Sequence, residues 1–174
     1  MGDERAHRGG CLPLSEALAG SADEFDPAYL HRWTIDLEAG RVREDTLDDL
    51  AIEFPRIDDR FGGLQNRYGY AVTNAGSIGE RTMQVVKYDL REGGREVHDF
   101  GRDRMPSEMS FVPAADDAGE EAGWLVGYVY DQARNASDLV VLDASSIAAP
   151  PVATIRLPVR VPFGFHGGWI PDPA

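Results

Sequence analysis

The sequence predicts an all-β protein made of antiparallel, four-stranded blades of a β-propeller. From residue 28 onward, β-branched and aromatic residues come in short runs separated by Gly, Asp, Asn and Pro, which is typical of strands and turns. Three of these runs end in an aspartate, at Asp36, Asp89 and Asp143, so the aspartates recur at intervals of 53 and 54 residues. A period of about 50 residues indicates repeated sheets, and four-stranded sheets arranged radially form a propeller.

Each repeat has the same order of elements. An apolar strand ends at the aspartate, a turn of small residues follows, and a second strand comes next, as in residues 30–42, 83–97 and 138–157. Two further strand patterns rich in aromatics, at 67–74 and 123–131, lie between these units. The chain of 174 residues therefore holds about three blades. Propellers close with roughly 4 to 8 blades, so we expect the ring to be completed by another polypeptide segment.

Composition separates two regions and excludes several classes of function. Residues 1–27 form an irregular lead-in without the apolar run of a secretory signal, and residues 28–174 form the blades. The net charge of −13 repels phosphate groups, so nucleic acid is not an expected partner. The single cysteine, Cys11, cannot form an internal disulfide or a thiolate metal site. With no apolar run long enough to cross a membrane, the sequence predicts a cytoplasmic protein without a transmembrane segment.

Three ionisable residues occupy comparable places in the strands that follow the aspartate turns. Glu53, Glu108 and His166 lie 17, 19 and 23 residues after their respective aspartates. The innermost strand of each propeller blade lines the central channel, so we expect these three side chains to converge on the axis. Two carboxylates and one imidazole suit a metal site or an acid/base pair.

The sequence leaves two interpretations of His166 open, a hydrogen-bonded structural histidine and a metal ligand, and its neighbours strengthen the second. Glycines would allow close approach of the backbone, and aromatic side chains would exclude water. These residues are Gly164, Gly167 and Gly168, with Phe163, Phe165 and Trp169. A neutral imidazole in such a place is a good ligand for iron, zinc or copper.

Glu53 and Glu108 each lie in a largely apolar strand, where an ionised carboxylate needs a partner. One hypothesis is a salt bridge to an arginine nearby in the sequence, from the set Arg56, Arg60, Arg102 and Arg104. The other is that each carboxylate accepts the N–H of a metal-bound imidazole and so fixes the ring. The spacing does not choose between them.

The remaining histidines, His7, His31 and His98, are not predicted to be ligands, and His98 is expected at the surface beside a charged strand end. An acidic cluster is predicted to be a solvated hairpin tip, because it lacks the spacing of a calcium-binding EF-hand loop. Its members are Asp116, Asp117, Glu120 and Glu121.

Several motifs, taken together and in their order along the chain, are similar to those of a known protein family. They are EFPRIDDRFGGLQNRYGYAV, KYDL, HDFG, PSEMSFVP, GWLVGYVYD, LVVLDA and RLPVRVPFGFHGGWIPD. Together they resemble the C-terminal part of the carotenoid cleavage oxygenases, a family that includes bacterial lignostilbene and apocarotenoid dioxygenases and animal retinoid enzymes. The likeness covers residues 29–172.

This resemblance implies a seven-bladed propeller with a ferrous ion, Fe²⁺, on its axis, held by four histidines with three outer-shell glutamates. His166, in HGGW, resembles the last of the four ligands. Glu53, in EFPR, and Glu108, in PSEMSFVP, resemble two of the three glutamates. In the family, the other three histidines and the third glutamate lie upstream of the part that this chain resembles.

The resemblance also implies a reaction: iron-dependent cleavage of a conjugated alkene, apocarotenoid or stilbenoid, by O₂ into two carbonyl products. A long apolar substrate would reach the metal through a tunnel with aromatic walls, and this chain would be the C-terminal part, completed by N-terminal blades. The alternative is a catalytically inactive fragment or a β-sheet module that binds a partner through its open edges. Whether this chain is an enzyme alone is left open, because one imidazole cannot hold Fe²⁺ tightly.

Overall fold

The computed structural model describes residues 27–73, 83–162 and 164–171, so the predicted lead-in lies outside it except for residue 27. The described residues form two five-stranded antiparallel sheets. Their only helix is one 3-10 turn, Asp59–Phe61, capped by the side chain of Asp58. No helix in these ranges is long and apolar enough to span a membrane. The prediction of an all-β, antiparallel fold is confirmed.

The first sheet contains five strands that pair in the order in which they occur in the chain. They are β1 (Tyr29–Asp36), β2 (Arg41–Arg56), β3 (Tyr68–Thr73), β4 (Gln84–Asp89) and β5 (Arg95–Asp99). Strand β2 is 16 residues long and serves two partners, because its first part pairs with β1 and its last part pairs with β3. The predicted inner strand around residues 51–57 is this last part of β2.

The second sheet repeats the arrangement, with the order β10-β9-β8-β6 and with β7 paired to the other part of β8. Its strands are β6 (Arg104–Pro106), β7 (Ser110–Pro113), β8 (Gly123–Asp131), β9 (Ala136–Asp143) and β10 (Ala153–Arg156). The segment 164–171, which carries His166, has no strand assignment.

The aspartate repeat has a local chemical cause. Asp36 Oδ1 accepts the backbone N–H groups two and three residues further on, at 3.1 and 2.9 Å. Asp89 Oδ1 does the same at 3.0 and 2.9 Å, and Asp143 Oδ1 accepts the N–H and the hydroxyl of Ser145. Aspartate favours such turns because its short side chain can cap the backbone that follows it. Each repeat is thus a strand, an aspartate-capped turn and a return strand.

The main core lies between the two sheets. Strands β3 and β4 contribute Tyr70 and Val85, which pack against apolar residues of the second sheet and of its β6–β7 and β9–β10 connections. These are Met109, Phe111, Leu125, Val129, Val140, Leu142, Ala144 and Ile147. The opposite face of the first sheet buries a smaller cluster, Ile52, Ala71, Val86 and Tyr88.

His98 belongs to this interface, so the prediction that it lies at the surface was wrong. It is buried in β5, opposite Val85, and its Nδ1 bonds to the carbonyl oxygen of Ile147 at 2.7 Å. Its ring also packs edge-on against Phe100. The charged neighbours in the sequence suggested exposure, but alternate residues of a strand point to opposite faces, and His98 is on the inner one.

The acidic hairpin tip was only half correctly predicted. Asp116 and Asp117 are exposed, whereas Glu120 and Glu121 join the two sheets. Glu120 accepts two backbone N–H groups at the start of β3, at 2.6 and 2.7 Å. Glu121 binds the buried ammonium of Lys87 at 2.5 Å. These carboxylates fix the relative position of the sheets.

We expect the fold to lose stability in acid. Hydrogen bonds from Arg67, Arg134 and Ser145 lower the pKa values of Asp89, Asp131 and Asp143, respectively. A carboxyl with a lowered folded pKa contributes stability above its unfolded pKa, about 3.9, and loses it as the pH falls through the folded value. Urea unfolding should therefore give a smaller free energy at about pH 3 than at pH 7; equal values would contradict this.

Candidate functional site

The candidate site is centred on Glu108, in the short connection between β6 and β7. This connection is fixed to β8, since Ser107 N–H donates to the Tyr128 carbonyl at 2.8 Å and Tyr128 N–H donates to the Ser107 hydroxyl at 3.2 Å. The Glu108 side chain is only 5% exposed. A carboxylate buried to this degree needs charged or hydrogen-bonding partners.

The segment that carries His166 supplies two of these partners. Gly167 N–H donates to Glu108 Oε2 at 2.6 Å, and His166 Nδ1 lies 3.2 Å from Glu108 Oε1. The imidazole is 74% exposed, and its plane is nearly perpendicular to the Phe54 ring, with the ring centroids 5.9 Å apart. The carboxylate thus faces one ring nitrogen and leaves Nε2 on the far side of the ring.

An arginine provides the third partner. Arg56, the last residue of β2, places Nη1 3.7 Å from Glu108 Oε1. The two hypotheses for Glu108, a salt bridge and an acceptor for an imidazole, therefore apply to the same carboxylate. Sequence reasoning named Arg56 only as one of four nearby arginines, because the distance depends on how two sheets pack.

Glu53 is placed differently from the other two predicted residues. It lies in β2 opposite Val72 and is exposed. Its neighbour Phe54 contacts the imidazole ring of His166. The structure therefore brings Glu108 and His166 together, while an outer-shell role for Glu53 stays a prediction.

Phe54 is a functional candidate that the sequence analysis missed. Its φ of +53° is a left-handed value, which is unusual for a bulky residue. Between Glu53 and Arg56 the register with β3 shifts by one residue, which defines a β-bulge. The EFPR motif drew attention to this stretch, but no feature of the four letters predicts the bulge.

A cavity of about 520 Å³ adjoins the Glu108–His166 pair. Glu108 and His166 both line it, together with several aromatic side chains, namely Phe54, Tyr128, Tyr130, Phe165 and Trp169. Cavities of this size and lining suit apolar small molecules that a few polar groups orient.

Gly127 allows β8 to approach the Glu108 connection closely. A Cβ at this position would overlap Met109 Sδ and lie 3.0 Å from the Glu108 carbonyl oxygen. We expect Gly127→Ala to displace this connection, to lower the free energy of unfolding by about 1–3 kcal/mol, and to weaken the bond from Gly167 to Glu108. Urea titration and the Gly167 amide signal in NMR measure the two effects.

The matched control is Gly119→Ala, because a Cβ there meets no heavy atom within 4 Å. It should leave both measurements unchanged. If Gly127→Ala behaved like this control, the close approach of β8 would not hold Glu108 in place.

The geometry alone does not provide a complete metal site. Among the described residues, no group of three or more His, Cys, Asp or Glu side chains lies close enough together to hold a metal ion. The site offers one imidazole, oriented by one carboxylate.

Comparison with known proteins decides the family. The family model for retinal pigment epithelial membrane protein matches residues 8–171 of the chain. The chain belongs to this family, the carotenoid cleavage oxygenases. The predicted resemblance is therefore confirmed.

Individual members agree with this assignment. The chain is 37% identical over 147 residues to a carotenoid cleavage oxygenase of Mycobacterium tuberculosis, covering 82% of this chain and 29% of that protein. It is 32% identical over 164 residues to lignostilbene-alpha,beta-dioxygenase isozyme III of Sphingomonas paucimobilis, covering 83% of this chain and 33% of that protein. The chain thus spans about a third of the length of these relatives.

Solved structures of carotenoid cleavage oxygenases also match. The cobalt-substituted apocarotenoid oxygenase of Synechocystis superposes with a TM-score of 0.79 and 32% identity, over 87% of this chain and 32% of that one. Because these neighbours are β-propeller enzymes, the two sheets of this carotenoid cleavage oxygenase chain are propeller blades, as predicted.

Proposed function

We propose that this chain is the C-terminal part of a non-haem iron(II)-dependent dioxygenase that cleaves a conjugated alkene with O₂ into two carbonyl products. The family and the printed names of the relatives support this class of reaction, since they describe carotenoid, apocarotenoid and lignostilbene oxygenases. The substrate class is then an apolar conjugated molecule, either apocarotenoid or stilbenoid.

The observation that carries the proposal is the Glu108 carboxylate beside Nδ1 of His166. Histidines that bind metals commonly donate their other ring N–H to a carboxylate, which fixes the tautomer and the ring orientation. With Nδ1 donating to Glu108, the lone pair of Nε2 is directed away from the carboxylate. An imidazole suits Fe²⁺, so His166 fits the role of one ligand. A cobalt-substituted relative is consistent with a metal in this family.

Bound iron would supply the activation of O₂. The residues of this chain have three other tasks in the proposal. Glu108 holds the imidazole, Gly167 N–H fixes the carboxylate, and the aromatic lining of the adjoining cavity binds the apolar substrate and excludes water.

The remaining ligands and blades would come from an N-terminal segment. Large apolar side chains on the strands at both ends of the described part are exposed and suit such a partner. They are Trp33 and Ile35 on β1 and Ile155 on β10. The same exposed side chains favour the second candidate, an inactive β-sheet module that binds a partner. A cytoplasmic location stays a prediction.

The purified chain should bind Fe²⁺ weakly, because it offers one ligand of the four that the resemblance implies. Elemental analysis after gel filtration measures the iron content, and we expect much less than one equivalent per chain. Iron close to one equivalent would contradict this expectation and would mean that other residues, or several chains, share a site.

A chimera tests the function directly. Residues 27–171 would replace the matching third of the Synechocystis apocarotenoid oxygenase, where 32% identity and a TM-score of 0.79 favour correct packing. We expect O₂-dependent cleavage of an apocarotenoid or a stilbenoid, with ¹⁸O from labelled O₂ in both carbonyl products. A folded, iron-loaded chimera that cleaves no member of the panel would favour the binding module.

A further inference from the structure

We propose that Arg56 is a positioning residue, whose guanidinium holds the Glu108 carboxylate in place and thereby fixes the imidazole of His166. The inference deepens the proposed function, because a fixed imidazole is what a metal ligand requires. It concerns contacts within this chain, so it can be tested without a metal or a substrate.

The first argument is electrostatic. Glu108 is 5% exposed, and an ionised carboxylate buried to this degree is costly unless it is paired or hydrogen-bonded. Arg56 supplies a positive charge beside this carboxylate, with Nη1 3.7 Å from Oε1. A buried carboxylate that loses its cationic partner becomes strongly unfavourable and rearranges towards water. Without Arg56, Glu108 would therefore leave the position from which it holds Gly167 and His166.

The second argument concerns the arginine itself. The Arg56 side chain is only 21% exposed, and its Nη2 donates to the exposed carboxylate of Asp59 at 3.3 Å. Its Nε is buried without a hydrogen-bond partner in the described residues. A buried donor without a partner is destabilising, because it has lost its hydrogen bonds to water and gained none in return. An unpartnered buried donor is expected where a side chain is held in place for a functional site, at some expense to the stability of the fold.

The third argument is the backbone that carries Arg56. The bulge in β2 places Phe54 at a φ of +53°, and a bulge redirects the side chains that follow it. As a result, Phe54 contacts the His166 ring and Arg56 approaches Glu108. Strained backbone of this kind is typical of functional sites. Phe54 and Arg56, which both belong to the bulged part of β2, thus contact His166 and Glu108, respectively.

The experiment is NMR on the metal-free 174-residue chain at about pH 8, above the ordinary pKa of histidine, about 6.5. The ¹⁵N shifts of His166 report which ring nitrogen carries the proton, and amide hydrogen exchange reports the Gly167 bond. In the wild type we expect the proton on Nδ1 and a protected Gly167 amide. In Arg56→Met we expect a mixture of tautomers and Gly167 exchange faster by about 10-fold or more.

Three further variants make the outcome decisive. Arg56→Lys should restore part of the wild-type tautomer ratio, because it restores the positive charge. Arg102→Met, at an exposed arginine, should match the wild type. Should Arg56→Met fail to fold, Arg56→Gln removes the charge while it keeps a donor for Asp59. A folded charge-removing variant with the wild-type tautomer and exchange rate would overturn the proposal, whether or not the chimera is active.

Discussion

Alkene cleavage by the chimera is expected to disappear when His166 is replaced by Ala. Under the proposed function, the substitution removes the imidazole that this chain would offer to the metal, so the coordination sphere would lose a ligand beside Glu108. Glu108→Gln should have a smaller effect, a loss of about 10- to 100-fold in metal affinity or activity, because the ligand remains and only its acceptor changes. The measurements are oxygen-dependent product formation and bound iron.

His31 provides a matched control for this prediction. Its Nδ1 also lies beside a carboxylate, at 2.7 Å from Glu44 Oε1, but the pair is on the exposed β1–β2 hairpin. His31→Ala in the same chimera should therefore retain both iron and activity. Near-normal turnover in His166→Ala would show that this histidine is not a ligand, and equal losses in both variants would indicate a general folding defect.

The parts of the fold that could be predicted from the sequence depend on local chemistry. Asp36, Asp89 and Asp143 were recognised as a repeat because each caps the turn that directly follows it. This local rule needs no knowledge of the distant chain. The strand at 123–131 was predicted with its final bounds for a similar reason, since aromatic and β-branched residues fill it.

The repeat placed Glu108 and His166 at comparable positions in strands, and their side chains do meet. The strand assignment was wrong, because Glu108 lies in the β6–β7 connection and His166 lies in a segment without a strand. The same reasoning grouped Glu53 with them; the structure places Glu53 at an exposed position of β2, and its neighbour Phe54 contacts the His166 ring. One added residue in β2 accounts for this region's departure from a regular strand. A repeat pattern assumes regular alternation and therefore cannot predict a bulge.

Long-range contacts were missed for a different reason. His98 and Glu121 both have charged neighbours in the sequence, which favoured solvent exposure. Their partners, Ile147 and Lys87, are 49 and 34 residues away. Only the packing of one blade on the next brings these groups together. The residues next to His98 and Glu121 in the sequence therefore could not predict either contact.

The largest effect on stability is expected at Asp138, which joins β9 to two arginines. Its side chain is 3% exposed, and Oδ2 accepts from Arg104 Nη1 at 2.8 Å, while Oδ1 accepts from Arg134 Nη2. Asp131 binds the same two guanidinium groups, at 3.1 and 2.6 Å. The four residues form a closed network of two carboxylates and two arginines. Removing Asp138 leaves two guanidinium groups to share the single carboxylate of Asp131.

Asp138→Ala should lower the free energy of unfolding by about 3 kcal/mol, measured by urea titration. Removing one partner of a buried ion pair costs about 3–5 kcal/mol, and the low end applies because both arginines are about one-third exposed and water can solvate them in part. The control is Asp45→Ala, whose partner Arg43 is 72% exposed, and it should cost at most about 1 kcal/mol. If the two variants lost equal stability, the network would be no stronger than a surface ion pair.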